Sequence, residues 1–246
     1  MNNDLETSMQ RSWADEPITD PNSRYLPCNN PGGSQYESTI VEGGEEITAH
    51  FNAPPWADKS GFITVWMTEC GGRTACATFR PTRAKWFKVA ESGLLTGTVA
   101  KGGWAPGALA ERNNSFISTI PAGMPDGGYL IRHEVVILGN SNGAGPQFYP
   151  YCGQLAYMSR NYSEAGIAPD HVRVSLPGLY EQNGSSLSID IASGDQSVFK
   201  IPGPAPWKPG DTPVNTTETR ARFRQSAYTE ADHEIDENAH TLRVYK

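Results

Sequence analysis

The sequence carries little charge and no excess of positive charge. Only 19% of the 246 residues are charged, and the formal net charge is -7. Proteins that bind nucleic acid neutralise its phosphates with clustered lysine and arginine side chains, which this composition does not supply. We therefore expect no nucleic-acid partner, and a neutral partner such as a polysaccharide fits the sequence better.

Long apolar runs are also absent. No run reaches the ~20 residues that span a bilayer, so no membrane partner is expected. The opening residues MNNDLETSMQRSW contain no apolar segment of the kind found in a signal peptide. Four Asn-x-Ser/Thr sequons nevertheless favour a secreted, extracellular glycoprotein, and they begin at Asn113, Asn161, Asn183 and Asn215. The features of a secreted protein and the missing signal peptide disagree, so we expect that either the sequence is not the whole precursor or its start is wrong.

Four cysteines allow three disulfide pairings. Zinc sites usually need two close pairs, and here only Cys70 and Cys76 are close. Their spacer GGRTA suits a small closed loop. We interpret Cys70–Cys76 and Cys28–Cys152 as disulfides, which indicates an oxidising compartment.

Helical periodicity is missing from most of the chain. Instead, 25 glycines and 19 prolines separate short segments in which apolar residues alternate with polar ones. The predicted strands lie within 38–51, 61–70, 84–93, 114–138, 171–176, 186–191 and 197–204. Short strands joined by turns and irregular loops predict an all-β sandwich.

Glycine and proline are absent after Pro213. The residues that follow are polar, with few apolar side chains and no helical stripe. We therefore predict a sandwich domain at residues 1–210 and a polar tail at 211–246 that is disordered or weakly helical. His233 and His240 lie in this tail among carboxylates, and we interpret them as solvated side chains.

Several longer motifs occur in a fixed order between about residues 11 and 205. They are PITDPNSRYLPCN, AKWFKV, STIPAGMPDGGYLIRHEVVIL, GPQFYPYCGQL and FKIPGP. Together they resemble the fungal lytic polysaccharide monooxygenases of auxiliary activity family 9. The resemblance implies a monomeric, immunoglobulin/fibronectin-like β-sandwich with long loops and a flat face for cellulose or other β-glucans.

The resemblance also implies a copper site at that face. In the family, an N-terminal histidine and a second histidine bind copper, a tyrosine takes the axial position, and the cofactor supplies the oxidative chemistry. Tyr149 corresponds to the axial tyrosine, and Gln147 to a glutamine beside the bound oxygen. Cys152 corresponds to the cysteine that pairs with Cys28. His133, in the RHE motif, corresponds to a structural histidine.

The sequence departs from the family at the nitrogen ligands. The family's first strand and its N-terminal histidine have no counterpart, Lys59 stands at the position of the second histidine, and Gly139 replaces a further histidine near the copper. An ammonium beside a cation costs about 1–4 kcal/mol at a distance of ~4 Å. We therefore predict a glycan-binding protein that holds no copper and does not oxidise its polysaccharide.

Two alternatives remain open. The chain is an active copper monooxygenase if a missing lead supplies the histidine and Lys59 tolerates the metal. It is a hydrolase if two carboxylates face each other across a cleft, but adjacent Glu45 and Glu46 give no such placement. For sugar stacking, the candidate aromatic residues in loops are Trp13, Tyr25, Trp56 and Tyr180.

Overall fold

The computed structural model describes residues 9–35, 37–51, 56, 59–139, 145–159, 166–180, 187, 189–209 and 241–243. The strands are β1 (Thr39–Glu42), β2 (Glu46–His50), β3 (Gly61–Gly71), β4 (Lys85–Ser92), β5 (Leu94–Thr96), β6 (Gly103–Trp104), β7 (Ser115–Thr119), β8 (Gly127–Ile137), β9 (Gln147–Met158), β10 (Arg173–Ser175) and β11 (Thr241–Arg243). The helical pieces are α1 (Ala105–Ala108) and short 3-10 turns at Ala75–Ala77, Pro81–Arg83, Ala110–Arg112 and Asp170–Val172. Among the described residues, no helix is long and apolar enough to cross a membrane.

Two sheets form the sandwich. The larger has the strand order β1-β9-β8-β3-β4-β10, and the smaller has the order β11-β2-β7. Strands β3, β8 and β9 pair antiparallel over most of their length, while β1 joins β9 in parallel. The all-β sandwich with long loops that the sequence predicted is confirmed.

The central strand β8 is buried along its whole length because both of its faces are covered. Alternate side chains point to opposite faces of a strand. Ile131 and Val135 face the core between the sheets, together with Ile47 and Val65. On the opposite face, Leu130 and Val136 join a second apolar cluster that the long loops cover; its other buried members include Phe62, Trp66, Trp86, Phe148 and Tyr180.

Two of the predicted strands, 186–191 and 197–204, are absent from the described part of the chain. The described residues of 186–191 and the segment 197–204 are turns and irregular loop. Phe199 and Ile201 instead pack on the second apolar cluster. Their alternation therefore reflects a covering loop with one buried side. Such a loop shows the same apolar pattern as a strand, and the sequence does not reveal the pairing partner that would distinguish the two.

Both predicted disulfides are present. Cys28–Cys152 joins the N-terminal loop to β9 across 124 residues of sequence, and Cys70–Cys76 closes a short loop after β3. The first bond also places residues of the N-terminal segment beside β9. Gln10 bridges to Gly153, and Ile18 bridges to Phe148.

The domain boundary near residue 210 stays a prediction. The last part of the sandwich domain is tied down because Trp207 N donates to the Lys88 carbonyl at 2.7 Å. From the predicted tail, residues 241–243 form β11, which pairs in parallel with β2. The rest of the tail, with His233 and His240, lies outside the described residues.

Candidate functional site

Gln147 and Tyr149 lie side by side at the start of β9. They are two residues apart on an extended strand, so their side chains point to the same side. The Tyr149 hydroxyl donates a hydrogen bond to Gln147 Oε1 at 3.0 Å. Both side chains are half-buried. Burial raises the pKa of Tyr149, so its phenol is neutral near pH 7.

Aromatic rings connect Tyr149 to the N-terminal segment. The Trp56 ring meets Tyr149 edge-on with centroids 5.2 Å apart, and Phe51 lies 6.4 Å from Trp56. Phe51 is also 6.2 Å from Tyr151, which is 6.3 Å from Trp13. Edge-to-face contacts of this kind add about 0.5–1.5 kcal/mol each beyond simple burial. The row of five rings therefore fixes the position of Tyr149.

The register of the large sheet brings the expected ligand positions to one end of the sandwich. Gly61 pairs with Ile137, and Ile137 pairs with Gln147. The Leu138 amide donates to the Ser60 carbonyl at 2.9 Å, which joins the chain segments that carry Lys59 and Gly139. Backbone pairing therefore puts these two segments next to the start of β9.

The four stacking candidates divide into two pairs. Trp13 and Tyr25 are half-exposed. Trp56 is only 5% exposed and Tyr180 only 2%. The Tyr180 hydroxyl donates to a Glu134 carboxylate oxygen at 2.6 Å, and its ring lies 4.9 Å from Phe148. Trp56 and Tyr180 are therefore corrected to core residues, because no ring face is left for a sugar.

Tyr25 carries its own cation. The Arg24 guanidinium carbon lies 4.7 Å from the Tyr25 ring centroid, and Arg24 Nη2 donates to the Tyr25 hydroxyl at 2.6 Å. A planar guanidinium held against an aromatic ring can donate further hydrogen bonds to ring hydroxyls of a sugar. This pair offers a polar contact at the surface, whereas Trp13 offers an apolar ring.

The chain matches the family model of Auxiliary Activity family 9 (formerly GH61) over residues 2–199. The chain belongs to Auxiliary Activity family 9. It is 36% identical over 208 residues to AA9 family lytic polysaccharide monooxygenase B of Heterobasidion irregulare, covering 82% of each protein. It is 33% identical over 221 residues to the AA9 family lytic polysaccharide monooxygenase-like protein CEL1 of Agaricus bisporus, covering 87% of this chain and 66% of that protein. The crystal structure of HiLPMO9B aligns with a TM-score of 0.74 at 36% identity, covering 85% of this chain and 91% of that chain.

Family 9 membership raises the question of whether these residues fit copper. Cu(II) prefers a tetragonal set of nitrogen and oxygen ligands, with imidazole as the usual protein nitrogen. The start of β9 offers one neutral phenol and one amide, and Lys59 is an exposed side chain. No group of three His, Cys, Asp or Glu side chains that could hold a metal occurs in the described residues. The donors described at the start of β9 are therefore a phenol and an amide, without the imidazoles that Cu(II) usually takes from proteins.

The histidines of the described segments have other places in the fold. His133 is fully buried, and its Nε2 lies 3.3 Å from Ser118 Oγ. His50 ends β2 in register with Ser115, and His171 lies in the turn Asp170–Val172. Burial lowers the pKa of His133 to about 3, so its imidazole is neutral. The sequence-based assignment of His133 as a structural residue is consistent with this placement.

The sequence did not predict the buried hydrogen-bond network on the face of β8 opposite His133. Arg132 donates to both carboxylate oxygens of Glu134 and to the carbonyls of Leu26 and Pro27. Tyr180 completes the network through Glu134. The alternation in the RHE motif signalled that Arg132 and Glu134 share a face, but not that the face was covered. This network joins the loop that carries Tyr25 to the central strand.

Proposed function

We propose that this chain is a secreted, monomeric family 9 protein that binds cellulose or another β-glucan without oxidising it. The observation that carries the proposal is the donor set beside Tyr149. By the family resemblance, the phenol of Tyr149 and the amide of Gln147 are the expected groups, but Lys59 and Gly139 stand where imidazoles are called for. The two disulfides support an extracellular location.

The electrostatics of the donor set support a binding role over a redox role. The Tyr149 proton is held by Gln147 Oε1, and burial raises the pKa of Tyr149. A neutral phenol engaged in a hydrogen bond is a weak ligand for a cation. The Lys59 ammonium adds about 1–4 kcal/mol of repulsion if it approaches a metal to ~4 Å. Neither residue supplies the free energy that a tightly bound metal requires.

Polysaccharide binding then relies on the half-exposed rings. The face of a β-glucose unit presents axial C–H groups, which pack on an aromatic ring while the equatorial hydroxyls seek polar partners. Trp13 provides a large ring, held edge-on by Tyr151. Tyr25 provides a ring and the Arg24 guanidinium beside it. The Cys28–Cys152 bond holds this N-terminal segment against β9, and the Arg132 contacts hold it against β8. These groups are therefore ordered before a sugar binds.

Retention on microcrystalline cellulose tests the binding role. We expect Trp13→Ala and Tyr25→Ala each to weaken retention by about tenfold, which corresponds to ~1.4 kcal/mol. Leu95→Ala is the matched control because Leu95 is an apolar side chain that is 48% exposed elsewhere. Equal retention of the wild type, all three variants and an unrelated protein contradicts the proposal.

The pair of Gln147 and Tyr149 favours one second candidate, a copper-dependent monooxygenase that cleaves cellulose oxidatively. By the family resemblance, these two residues correspond to the positions that the family uses beside the metal, and they share a hydrogen bond. Calorimetric titration with Cu(II) and the electron paramagnetic resonance spectrum separate the two candidates. A non-oxidative protein gives weak binding at best. Sub-micromolar binding with an axial spectrum that Tyr149→Phe alters establishes the second candidate instead.

A further inference from the structure

The turn before β7 has an unusual backbone. Asn113 and Asn114 both have positive φ, at 52° and 53°. Asparagine is among the few non-glycine residues that adopt this left-handed conformation readily. The Asn114 amide donates to the Leu109 carbonyl at 2.8 Å, and the Asn114 carbonyl accepts from the Phe51 amide at 2.7 Å. The turn is therefore fixed by its backbone and leaves the Asn113 side chain outside.

Asn113 is also the first residue of the sequon Asn113-Asn114-Ser115. Its side chain is exposed and makes no hydrogen bond within the described part of the chain. The Ser115 hydroxyl donates to the Arg112 carbonyl, on the outside of the same turn. The sequons at Asn161, Asn183 and Asn215 lie outside the described residues. A bulky group on Asn113 Nδ2 displaces no protein contact.

The strand that follows has an exposed apolar edge. Strand β7 pairs with β2 on one side and is the last strand of its sheet, as the described residues define it. Ile117 lies in the middle of β7 and is 55% exposed. An unpaired strand edge with an apolar side chain is a template for pairing with a second molecule. Asn113 stands four residues before Ile117, which places the two at most about 13 Å apart, the length of four residues of fully extended strand.

We propose that Asn113 carries an N-linked oligosaccharide and that this glycan shields the edge of β7. In this reaction Asn113 Nδ2 bonds to the anomeric carbon of a sugar supplied by a lipid-linked pyrophosphoryl oligosaccharide. The bond between that carbon and the pyrophosphate oxygen breaks, the lipid diphosphate leaves, and Nδ2 loses one proton. The proposal depends on the secretory route contained in the proposed function, because the sugar donor occurs there.

Mass spectrometry of the secreted full chain tests the modification. The chain is produced in a yeast that glycosylates proteins, behind a leader supplied by the host vector, and is treated with peptide-N-glycosidase in ¹⁸O water. We expect the peptide with Asn113 to carry the heavy aspartate mark in the wild type. Ser115→Thr keeps the sequon and keeps the mark, whereas Ser115→Ala removes it. An unmarked Asn113 peptide in the secreted wild type overturns the proposal, and since the leader is supplied, that result leaves the glucan-binding proposal untouched.

Light scattering tests the shielding. Enzymatically deglycosylated wild type and Ser115→Ala are expected to self-associate at a severalfold lower concentration than the glycosylated protein. Adding Ile117→Thr to Ser115→Ala is expected to restore the monomer, because it removes the apolar side chain from the edge. If the unglycosylated forms stay monomeric over the same concentration range as the glycosylated protein, the shielding role is overturned.

Discussion

At the scale of single residues, His133 and Ser118 illustrate why proximity alone is not catalysis. The two side chains are within 3.3 Å, as a nucleophile and its base would be. Both are buried between the sheets, His133 at 0% exposure and Ser118 at 4%. The second ring nitrogen, Nδ1, has no hydrogen-bond partner among the described residues to orient it. No substrate reaches the pair, so its role is to link the two sheets.

The buried imidazole makes stability depend on pH. An unfolded histidine titrates near pH 6.5, whereas burial lowers the pKa of His133 to about 3. Between these values only the unfolded chain binds the proton. Above pH 6.5 the imidazole is neutral in both states, and the protein keeps its full stability with respect to this residue. As the pH decreases from 6.5 toward 3, the free energy of unfolding falls by about 1.4 kcal/mol per pH unit. Urea denaturation of His133→Gln from pH 7 to 4 is expected to show a shallower pH dependence than the wild type. His171→Gln, which removes an exposed histidine, serves as the control, and equal slopes for the wild type and His133→Gln would refute the assignment.

Lys88 is a second residue whose burial has a structural explanation. Its ammonium donates to Glu91 at 2.6 Å and to the Pro202 carbonyl at 2.9 Å, and it lies 5.0 Å from the centroid of the Trp66 ring. We expect Lys88→Met to destabilise the fold by about 1–3 kcal/mol, because the Pro202 carbonyl loses its buried donor. Limited proteolysis should then cut the segment 199–209 sooner. Lys85→Met, which removes one exposed bond to Ser175, provides the comparison. Similar unfolding curves for both variants would contradict the tethering role.

At the scale of elements, the sequence predicted β8 well and β9 only as a motif. The segment 114–138, which the sequence predicted as strand, contains β7 and β8 as observed. The prediction holds because successive side chains of β8 alternate between its two faces. Strand β9 contains Pro150 and Gly153, which usually argue against a central strand. Strand β1 pairs with β9 only from Leu155 onward, and the N-terminal segment bridges to β9 at Phe148 and Gly153, on either side of Pro150. Proline is tolerated between these two bridges because its carbonyl accepts from the Asn29 side chain and no regular ladder there needs its missing amide. Strand pairing of this kind is not encoded in local periodicity.

The network on the outer face of β8 predicts a ranking of variants. Glu134→Gln leaves the buried Arg132 guanidinium without its anionic partner, and breaking such a pair costs about 3–5 kcal/mol. Tyr180→Phe removes one hydrogen bond to the same carboxylate, for which we expect a loss of about 1–3 kcal/mol. Tyr25→Phe should cost less than either, since its partner Arg24 is exposed. Chemical denaturation at pH 7 gives the three values. A Glu134→Gln variant as stable as the wild type would show that the network does not hold the loops.

At the scale of the whole molecule, the candidate site is assembled by register and cross-links that no single motif contains. Lys59, Gly139 and Gln147 come from three separated segments, and their common location follows from the row Gly61–Ile137–Gln147. Sequence alone could place Gln147 and Tyr149 on one side of a strand, by the spacing of two. It could not show that Trp56 is buried against Tyr149, because that contact depends on how a loop folds back. The family resemblance supplied the positions, and the structure adds the packing.

The two disulfides differ in how much of the molecule they constrain, and this difference can be measured. In the chain-entropy description, the Cys28–Cys152 bond, with a sequence separation of 124, contributes about 5 kcal/mol. The Cys70–Cys76 bond, with a separation of 6, contributes about 2 kcal/mol. We expect the pair Cys28→Ala and Cys152→Ala to lower the unfolding free energy by roughly twice as much as Cys70→Ala with Cys76→Ala. Because the longer bond holds the segment with Trp13 and Tyr25 against β9, only its removal should also weaken retention on cellulose. Equal losses of stability, or unchanged retention in a folded variant that lacks the longer bond, would mean that this segment is held by its other contacts, Arg132 among them.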